Sequence, residues 1–437
     1  MPELLNAGRS EAGFSRVGQA MLCNQLYAYV ELLEVDGLGN RDPLHRGSLV
    51  HTGEAHYWER LRRTQQLGAA VAGGMTVEQA RAAHPLPEEL YDPVAAIHAH
   101  AKVMRAEGIP VKDEIEAVSA HAMSDLVMEH ELVKNKPLVV SVEREYRALL
   151  DADPLQGQSA EPEIRVYRED EVRAALQARG LELVNDPKVP FLRHVVPFRI
   201  CHEADDIMGC ARYMREQQPS TWIKDLNGYK GPQAFYLYTQ RIDLITWEPT
   251  GVAGPDGQPV YALVVADHKT TNHYKTGEYG TVRAYSMHGQ FWGLRLLTQL
   301  YYPDLAAKGL VKLRINVIQM PGPKNKTTWI QEPPEPAPWR ESRHWRNVWD
   351  TYRQLHTLIE SGRDPWDFPA TGHEMACMLK RYGRCEAWEL CQRGRAAVAG
   401  VKVKSMTLGA GKAGLTAEER AAAAVPPLTL NFGGDDA

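Results

Sequence analysis

Asp243 stands in the segment YTQRIDLI, and Asp267 with Lys269 closes the later segment VVADHKTT. Both segments are rich in β-branched and aromatic residues, and Gly251 to Gly257 (GVAGPDG) between them is a turn sequence. The pattern predicts a hairpin that brings Asp243 beside Asp267. Two carboxylates on adjacent strands make a site for a hard divalent cation, which takes oxygen ligands and keeps some of its waters. Lys269 lies two residues from Asp267, so on a strand both side chains face the same side. A cation and a fixed ammonium together suit phosphodiester cleavage, which needs an activated water and a stabiliser for charge on the phosphoryl oxygens. A D-x-K on a strand is also a common surface ion pair, and spacing alone does not separate the two.

Other residues have comparable double readings. Arg241, two residues before Asp243, either binds phosphate or makes a structural ion pair. Glu143 and Glu145, in PLVVSVEREYRALL, either line the site or make sheet-surface salt bridges, and the latter is the expectation. His51 reads as a helix-surface or core histidine on its own residues, and His45 and His56 read as structural. Cys377, Cys385 and Cys391 form a C-x7-C-x5-C segment, and Cys23 lies near the start of the chain. Zinc, an iron–sulfur cluster and unliganded core thiols all suit this spacing, though no C-x2-C knuckle appears. Cys201 and Cys210 stand outside the pattern as buried or free thiols.

The elements needed to hold these residues follow from apolar periodicity. Residues 16–34 have helical spacing, and a second helix runs from about Gly47 past Arg60, carrying His51. An Ala-rich region with several short helices reaches about Leu132. Strands begin at Pro137, resume at Ala234 and return through YALVVADHKTT. A helix over roughly Val282 to Leu300 carries Gln290, and VKLRINVIQM is a further strand. Residues 151–230 mix acidic, Pro-containing and helical pieces and read as an insertion. Without it, the order is helix, three strands, helix, strand, with the last helix permitting a crossover. A Pro-rich connector at Pro333 to Pro338 divides the chain. The predicted organisation is 1–45, an N-terminal helical segment; 46–332, the mixed α/β core; 333–400, a helical, cysteine-bearing segment; and 401–437, a flexible tail.

At 437 residues the chain can bury at least one large core. No apolar run approaches a membrane span, and the N-terminus lacks the apolar stretch of a secretory signal, so a cytoplasmic location is expected. Six cysteines are too few for a disulfide framework in a chain of this length. The formal net charge of −5 does not announce a nucleic-acid binder. Cations nevertheless gather late, at Lys324 and Lys326, at Arg340, Arg343 and Arg346, and at Lys380, Arg381 and Arg384, as a phosphate track or a solvated surface would have them.

The combination R-I-D-L-I, V-V-A-D-H-K-T-T and a following helix with Gln290 resembles the RecB-like PD-(D/E)xK nucleases. It is most similar to their phage-type and CRISPR-associated iron–sulfur exonucleases. RGSLVHTGEAHYW resembles the family's first motif, in which a helix delivers a histidine to the metal, here His51. The resemblance implies a PD-(D/E)xK core with a helical N-terminal region and a C-terminal cluster-binding segment. It implies His51, Asp243 and Asp267 as ligands for Mg2+ or Mn2+, with Asp243, Asp267, Lys269 and Gln290 catalytic. Gln290 and Arg241 would contact DNA. The family's Q-x-x-x-Y motif is broken, because Leu294 holds the tyrosine position and leaves Tyr285, Tyr301 or Tyr302 as substitutes. Relatives with one early and three late cysteines hold a 4Fe-4S cluster, which implies Cys23, Cys377, Cys385 and Cys391 as its ligands. The implied activity is a DNA exonuclease working on ends or single strands in recombination, repair or replication, in a bacterium or phage-infected host. A site-specific endonuclease and a non-catalytic DNA-binding module are the alternatives.

Overall fold

A computed structural model describes residues 12, 14–33, 35–36, 42–84, 92–152, 164–197, 229–271, 289–308, 310–319, 327–331, 338–370, 391 and 402–403. The chain opens with α1 (Phe14–Leu22), α2 (Asn24–Tyr27), a π-helical turn (Ala28–Leu32) and a two-residue strand β1 (Val35–Asp36). Helix α3 (Asp42–Ala72) is far longer than its sequence pattern suggests. Three helices then stack on it: α4 (Val77–Ala83), α5 (Pro93–Ala106) and α6 (Asp113–Leu132). Their starts are explicit in the sequence. Thr76 and Gln79 form a reciprocal capping box on α4, and Asp92 caps α5 with Pro93 in its first turn. Gly53 permits the close approach of α3, because a Cβ there would lie 2.6 Å from Met123 Sδ and 3.1 Å from the Pro93 carbonyl.

Strand β2 (Leu138–Asp151) follows, then β3 (Val166–Arg168), α7 (Glu169–Gln177), β4 (Leu181–Asn185) and β5 (Leu192–Pro197). The long hairpin is β6 (Ala234–Ala253) and β7 (Pro259–Thr271). Helices α8 (Gly289–Tyr301) and α9 (Pro303–Lys308) lead to β8 (Leu310–Gln319) and β9 (Thr327–Gln331). The described chain ends with α10 (Pro338–Glu360), a 3-10 turn (Pro365–Asp367) and β10 (Lys402–Val403).

The result is a mixed α/β architecture around one eight-stranded sheet, in the order β3-β2-β6-β7-β8-β9, with the β4–β5 pair joined to β6. Strands β2, β6 and β7 are antiparallel neighbours, whereas β8 runs parallel to β7 after the α8 crossover. Strand β9 adds an edge beside β8 for which no strand is expected from the sequence. The segment read as an insertion is instead part of the sheet, since β3 pairs with β2 and β5 with β6. Helices α3, α5 and α6 pack one face, with Leu49, Ile97 and Met123 against Leu244, Ala266 and Ile318. Helices α1, α8 and α10 share a second apolar cluster with Ile245, Val265 and Ile315. Adjacent strand residues thus enter opposite clusters, as a side-chain period of two requires. No helix among the described residues is long and apolar enough to cross a membrane.

Candidate metal centre

Strand β6 shares one of its edges between two partners. Tyr236 pairs with Leu192 of β5, while pairing with β7 begins only at Leu244, opposite Ala266. The next residues along that register are Asp243 and Asp267, and there the ladder stops. Like charges facing each other across a ladder repel, so two opposed carboxylates favour the parting of the strands. The His268 N–H no longer has a ladder partner and donates to Asp243 Oδ2 at 2.7 Å. On the other side of β6, Val142 pairs with Leu244 and Arg144 with Ile242, which puts Glu143 opposite Asp243. Three neighbouring strands therefore line up Glu143, Asp243 and Asp267.

Glu143 is the only described non-glycine residue with positive φ, 45°. A left-handed backbone at such a residue costs on the order of 1 kcal/mol and is held only by its surroundings. It takes the carboxylate out of the β2 alternation and toward helix α3. There, His51 Nδ1 lies 3.9 Å from Glu143 Oε1 and 3.6 Å from Asp243 Oδ2. The other ring nitrogen, Nε2, lies 2.8 Å from the His268 carbonyl oxygen. A carbonyl only accepts, so Nε2 carries a proton, and in the neutral ring Nδ1 keeps the lone pair that faces the carboxylates. The donor atoms of His51, Glu143 and Asp243 all lie within 4.8 Å of one another.

Asp267 is 3 % exposed and lies outside that trio. Gln290 Nε2 donates to its Oδ1 at 2.9 Å, and Lys269 Nζ lies 2.6 Å from its Oδ2. The crowding is visible in protonation. Burial raises the Glu143 carboxyl well above the usual range, and the negative Asp243 and Asp267 add to it while Arg241 and Lys269 oppose. Burial also raises Asp267, with Lys269 pulling it down and Asp243 pushing it up. For Asp243 burial again disfavours the charge, but His51, His268, Lys269 and the His268 N–H outweigh it and hold this carboxyl low. Of the residues selected from sequence, the fold brings His51, Asp243, Asp267, Lys269 and Gln290 together.

Glu143 corrects the sequence expectation, because it is a member of the trio and not a sheet-surface ion pair. Glu145 does make the expected ion pair, 2.9 Å from Arg147 Nη1. Arg241 acts on Glu143 electrostatically. Leu294 is core, 1 % exposed. Tyr301, at the far end of α8, and Tyr302, just beyond it, bind β2, Tyr301 Oη donating to the Arg147 carbonyl and Tyr302 Oη lying 2.8 Å from Tyr146 Oη. Tyr285 lies outside the described residues, as do Cys201, Cys210, Lys324, Lys326, Lys380, Arg381 and Arg384.

A buried network with no clear sequence signature lies one helical turn along α3 from His51. Glu54 accepts from Trp58 Nε1 at 2.6 Å and lies 3.3 Å from His130 Nε2. Burial would raise its carboxyl, but His130, then His268, and the hydrogen bonds from His130 and Trp58 bring it down to about 2. Burial likewise opposes charge on His130, and Glu54 overcomes it, so the imidazole is raised. The carboxyl falls from 4.5 to about 2, equivalent to about 3 kcal/mol at ~1.36 kcal/mol per unit. With a depressed folded pKa, this contribution is present above 4.5 and disappears as pH falls toward 2. With a raised folded pKa, the His130 contribution is full below 6.5 and is lost as pH rises past it. Urea denaturation should therefore show the Glu54→Gln penalty largest between 4.5 and 6.5. A penalty independent of pH from 3 to 9 would remove the ion pair from the account of stability.

Cys23 is buried at the break between α1 and α2. Tyr29, in the π-turn, has its hydroxyl raised first by burial, then by the charge of Cys391 and a hydrogen bond with it, then by Cys23. Two of the four selected cysteines thus converge on one tyrosine. The other two, Cys377 and Cys385, lie outside the described residues. Gln25 Nε2 donates to the Pro365 carbonyl at 3.0 Å, the Tyr29 and Trp366 rings lie 5.3 Å apart, and Val35 pairs with Val403. The early and late segments are therefore packed together, and β10 falls inside the segment read as a tail. No protein-family model matches this chain, and no curated protein matches it significantly.

Proposed function

We propose that this chain is a divalent-metal-dependent DNA nuclease with a RecB-like PD-(D/E)xK core, acting as an exonuclease on DNA ends or single strands. The observation that carries the reading is the His51–Glu143–Asp243 donor set within 4.8 Å, with Asp267 and Lys269 on the adjoining strand. Two carboxylates and an imidazole suit Mn2+, and the carboxylates suit Mg2+. The fit also rests on charge. A carboxyl raised first by burial and then by two neighbouring carboxylates is one whose ionised form a cation between them would stabilise. When bound, the cation supplies Lewis acidity toward a phosphoryl oxygen and a lower pKa for water.

The protein groups have separate tasks. His51, Glu143 and Asp243 would hold the cation, and the His268 carbonyl keeps the His51 ring oriented. Lys269 brings an ammonium beside Asp267, suited to charge that develops on the phosphoryl oxygens. Gln290 orients the Asp267 carboxylate through its carboxamide. A 4Fe-4S cluster on Cys23, Cys377, Cys385 and Cys391 is the second proposed cofactor, supported by the approach of Cys23 and Cys391 to Tyr29. A role in recombination, repair or replication follows from the resemblance to the phage-type and CRISPR-associated exonucleases.

The direct test is incubation of purified protein with end-labelled single- and double-stranded DNA, and with circular DNA, in Mg2+, Mn2+ or chelator. Metal-dependent loss of the end label from linear DNA, with circles intact, is expected. Cleaved circles would make it an endonuclease, and inert DNA under all conditions would sink the reading. Binding should also weaken steeply with salt, because phosphate contacts release counterions whatever the net charge of the protein. Arg241→Ala should weaken DNA binding with metal affinity kept. Salt-insensitive binding would point to a partner other than nucleic acid.

A further inference from the structure

Gln240 lies on β6 three residues before Asp243, is 4 % exposed, and has both ends of its carboxamide occupied. Its Oε1 accepts from Tyr238 Oη at 2.9 Å, and its Nε2 donates to the Gln290 main-chain carbonyl at 2.9 Å. Gln290 is the second residue of α8, and its side chain in turn donates to Asp267 Oδ1. Tyr238 is itself fully buried and packs edge-on against Trp345 of α10 at 5.2 Å. One hydrogen-bonded chain therefore runs from the core of the second layer, through the first turn of α8, to the carboxylate of the D-x-K.

Gly293 shows how closely this helix is seated. A Cβ at that position would lie 2.2 Å from Tyr238 Oη and 2.3 Å from Gln240 Oε1. Both atoms end side chains that are held in the core, so neither moves aside cheaply. Only glycine lets the α8 backbone rest on the pair, at the point where the carbonyl of Gln290 meets Gln240.

We propose that Tyr238, Gln240 and Gly293 form a clamp fixing the start of α8, so that the Gln290 carboxamide holds Asp267 in its working orientation. Gln240 is then a positioning residue for the site, acting through Gln290. Its role in catalysis rests on the nuclease reading, but the clamp itself does not. A buried glutamine that only satisfies core hydrogen bonds would share this geometry, so the test separates support of the helix from support of the reaction.

Two measurements on the full-length protein do so. The first is amide hydrogen exchange over residues 289–294 in Gln240→Met, a substitution close in shape that cannot donate to the Gln290 carbonyl. Faster exchange there, with the β6–β7 hairpin unchanged, is expected; unchanged exchange overturns the clamp. The second is cleavage of end-labelled DNA by Gln240→Met, Gly293→Ala, Gln290→Ala and the double variants Tyr238→Phe/Gln240→Met and Gln240→Met/Gln290→Ala. Replacing both side chains leaves no orphaned tyrosine hydroxyl, only the Gln290 carbonyl without its side-chain donor, so the Phe/Met variant should melt closer to wild type than Gln240→Met alone. It should still lose roughly tenfold in kcat, the range for groups that orient a site residue, with KM within about twofold. Gln240→Met/Gln290→Ala should be no slower than Gln290→Ala alone, because both act through one contact. Wild-type kcat in the Phe/Met variant, or losses that multiply in the double variant, would overturn the positioning role. A wild-type protein inert on DNA would overturn the nuclease reading and with it that role, while the exchange result still decides the clamp.

Discussion

Asp243→Ala should abolish DNA cleavage and most metal affinity while leaving a folded protein. Asp243 is the centre of the site: it faces Glu143 on one side and Asp267 on the other, and lies 3.6 Å from His51 Nδ1. Glu143→Gln should behave in the same way, because the trio has only two carboxylates with which to neutralise a dication. Lys269→Ala should differ. Its ammonium touches a carboxylate outside the trio, so metal binding should survive while the rate falls on the order of 10²–10³-fold, as for loss of a transition-state stabiliser. Stability supplies an independent readout. Burial, and after it the charges of Asp243 and Asp267, disfavours an ionised Glu143 in metal-free protein, so Glu143→Gln should raise its melting temperature. The same variant should lose the further rise that Mn2+ gives the wild type, since a ligand stabilises only the form it binds. Near-normal turnover in Asp243→Ala and Glu143→Gln, or Mn2+ stabilisation that survives in both, would show that the site lies elsewhere.

The part of this site carried by a hairpin was legible in the sequence. β-branched and aromatic runs on either side of GVAGPDG predict paired strands, and these form, although pairing continues to Ala253 and Pro259 and leaves a shorter turn than the composition suggests. Adjacency of Asp243 and Asp267 follows from that hairpin. Glu143 was not legible, for two physical reasons. Its partner is far along the chain, and nothing in VSVEREY states the register that sets it opposite Asp243. Its left-handed backbone also breaks the alternation from which a strand residue's face is inferred. The segment read as an insertion failed differently. β3 to β5 are short; β4 pairs with its neighbour β5, while β3 joins β2 and β5 joins β6 only across intervening residues, so periodicity alone gives little sign that they widen the sheet. Gln240 and Glu54 illustrate a third limit. A polar residue among apolar ones reads as surface until the fold supplies partners for both ends of it.

Cys23→Ala should remove a visible chromophore and destabilise the whole protein. The chemical premise is that four thiolates hold one iron–sulfur cluster, whose broad absorption makes anaerobically purified protein brown. The structural support lies at the seam between the two ends of the chain. Cys23 is buried where α1 breaks, Cys391 and Cys23 both act on the Tyr29 hydroxyl, and Trp366 packs on the Tyr29 ring. Among the described residues, contacts across this seam include a hydrogen bond from Gln25 to the Pro365 carbonyl and a two-residue ladder at Val35 and Val403. A ligand bridging Cys23 to the late trio would close a loop of most of the chain, so its loss should be felt in global stability as well as locally. Cys377→Ala, Cys385→Ala and Cys391→Ala should each lose colour, iron and sulfide together with stability, whereas Cys201→Ala and Cys210→Ala should keep all four. Iron and sulfide assays with urea denaturation under anaerobic conditions decide the matter. Colourless protein with stoichiometric zinc would replace the cluster by a zinc site, and stable protein holding neither metal would leave these cysteines as core thiols.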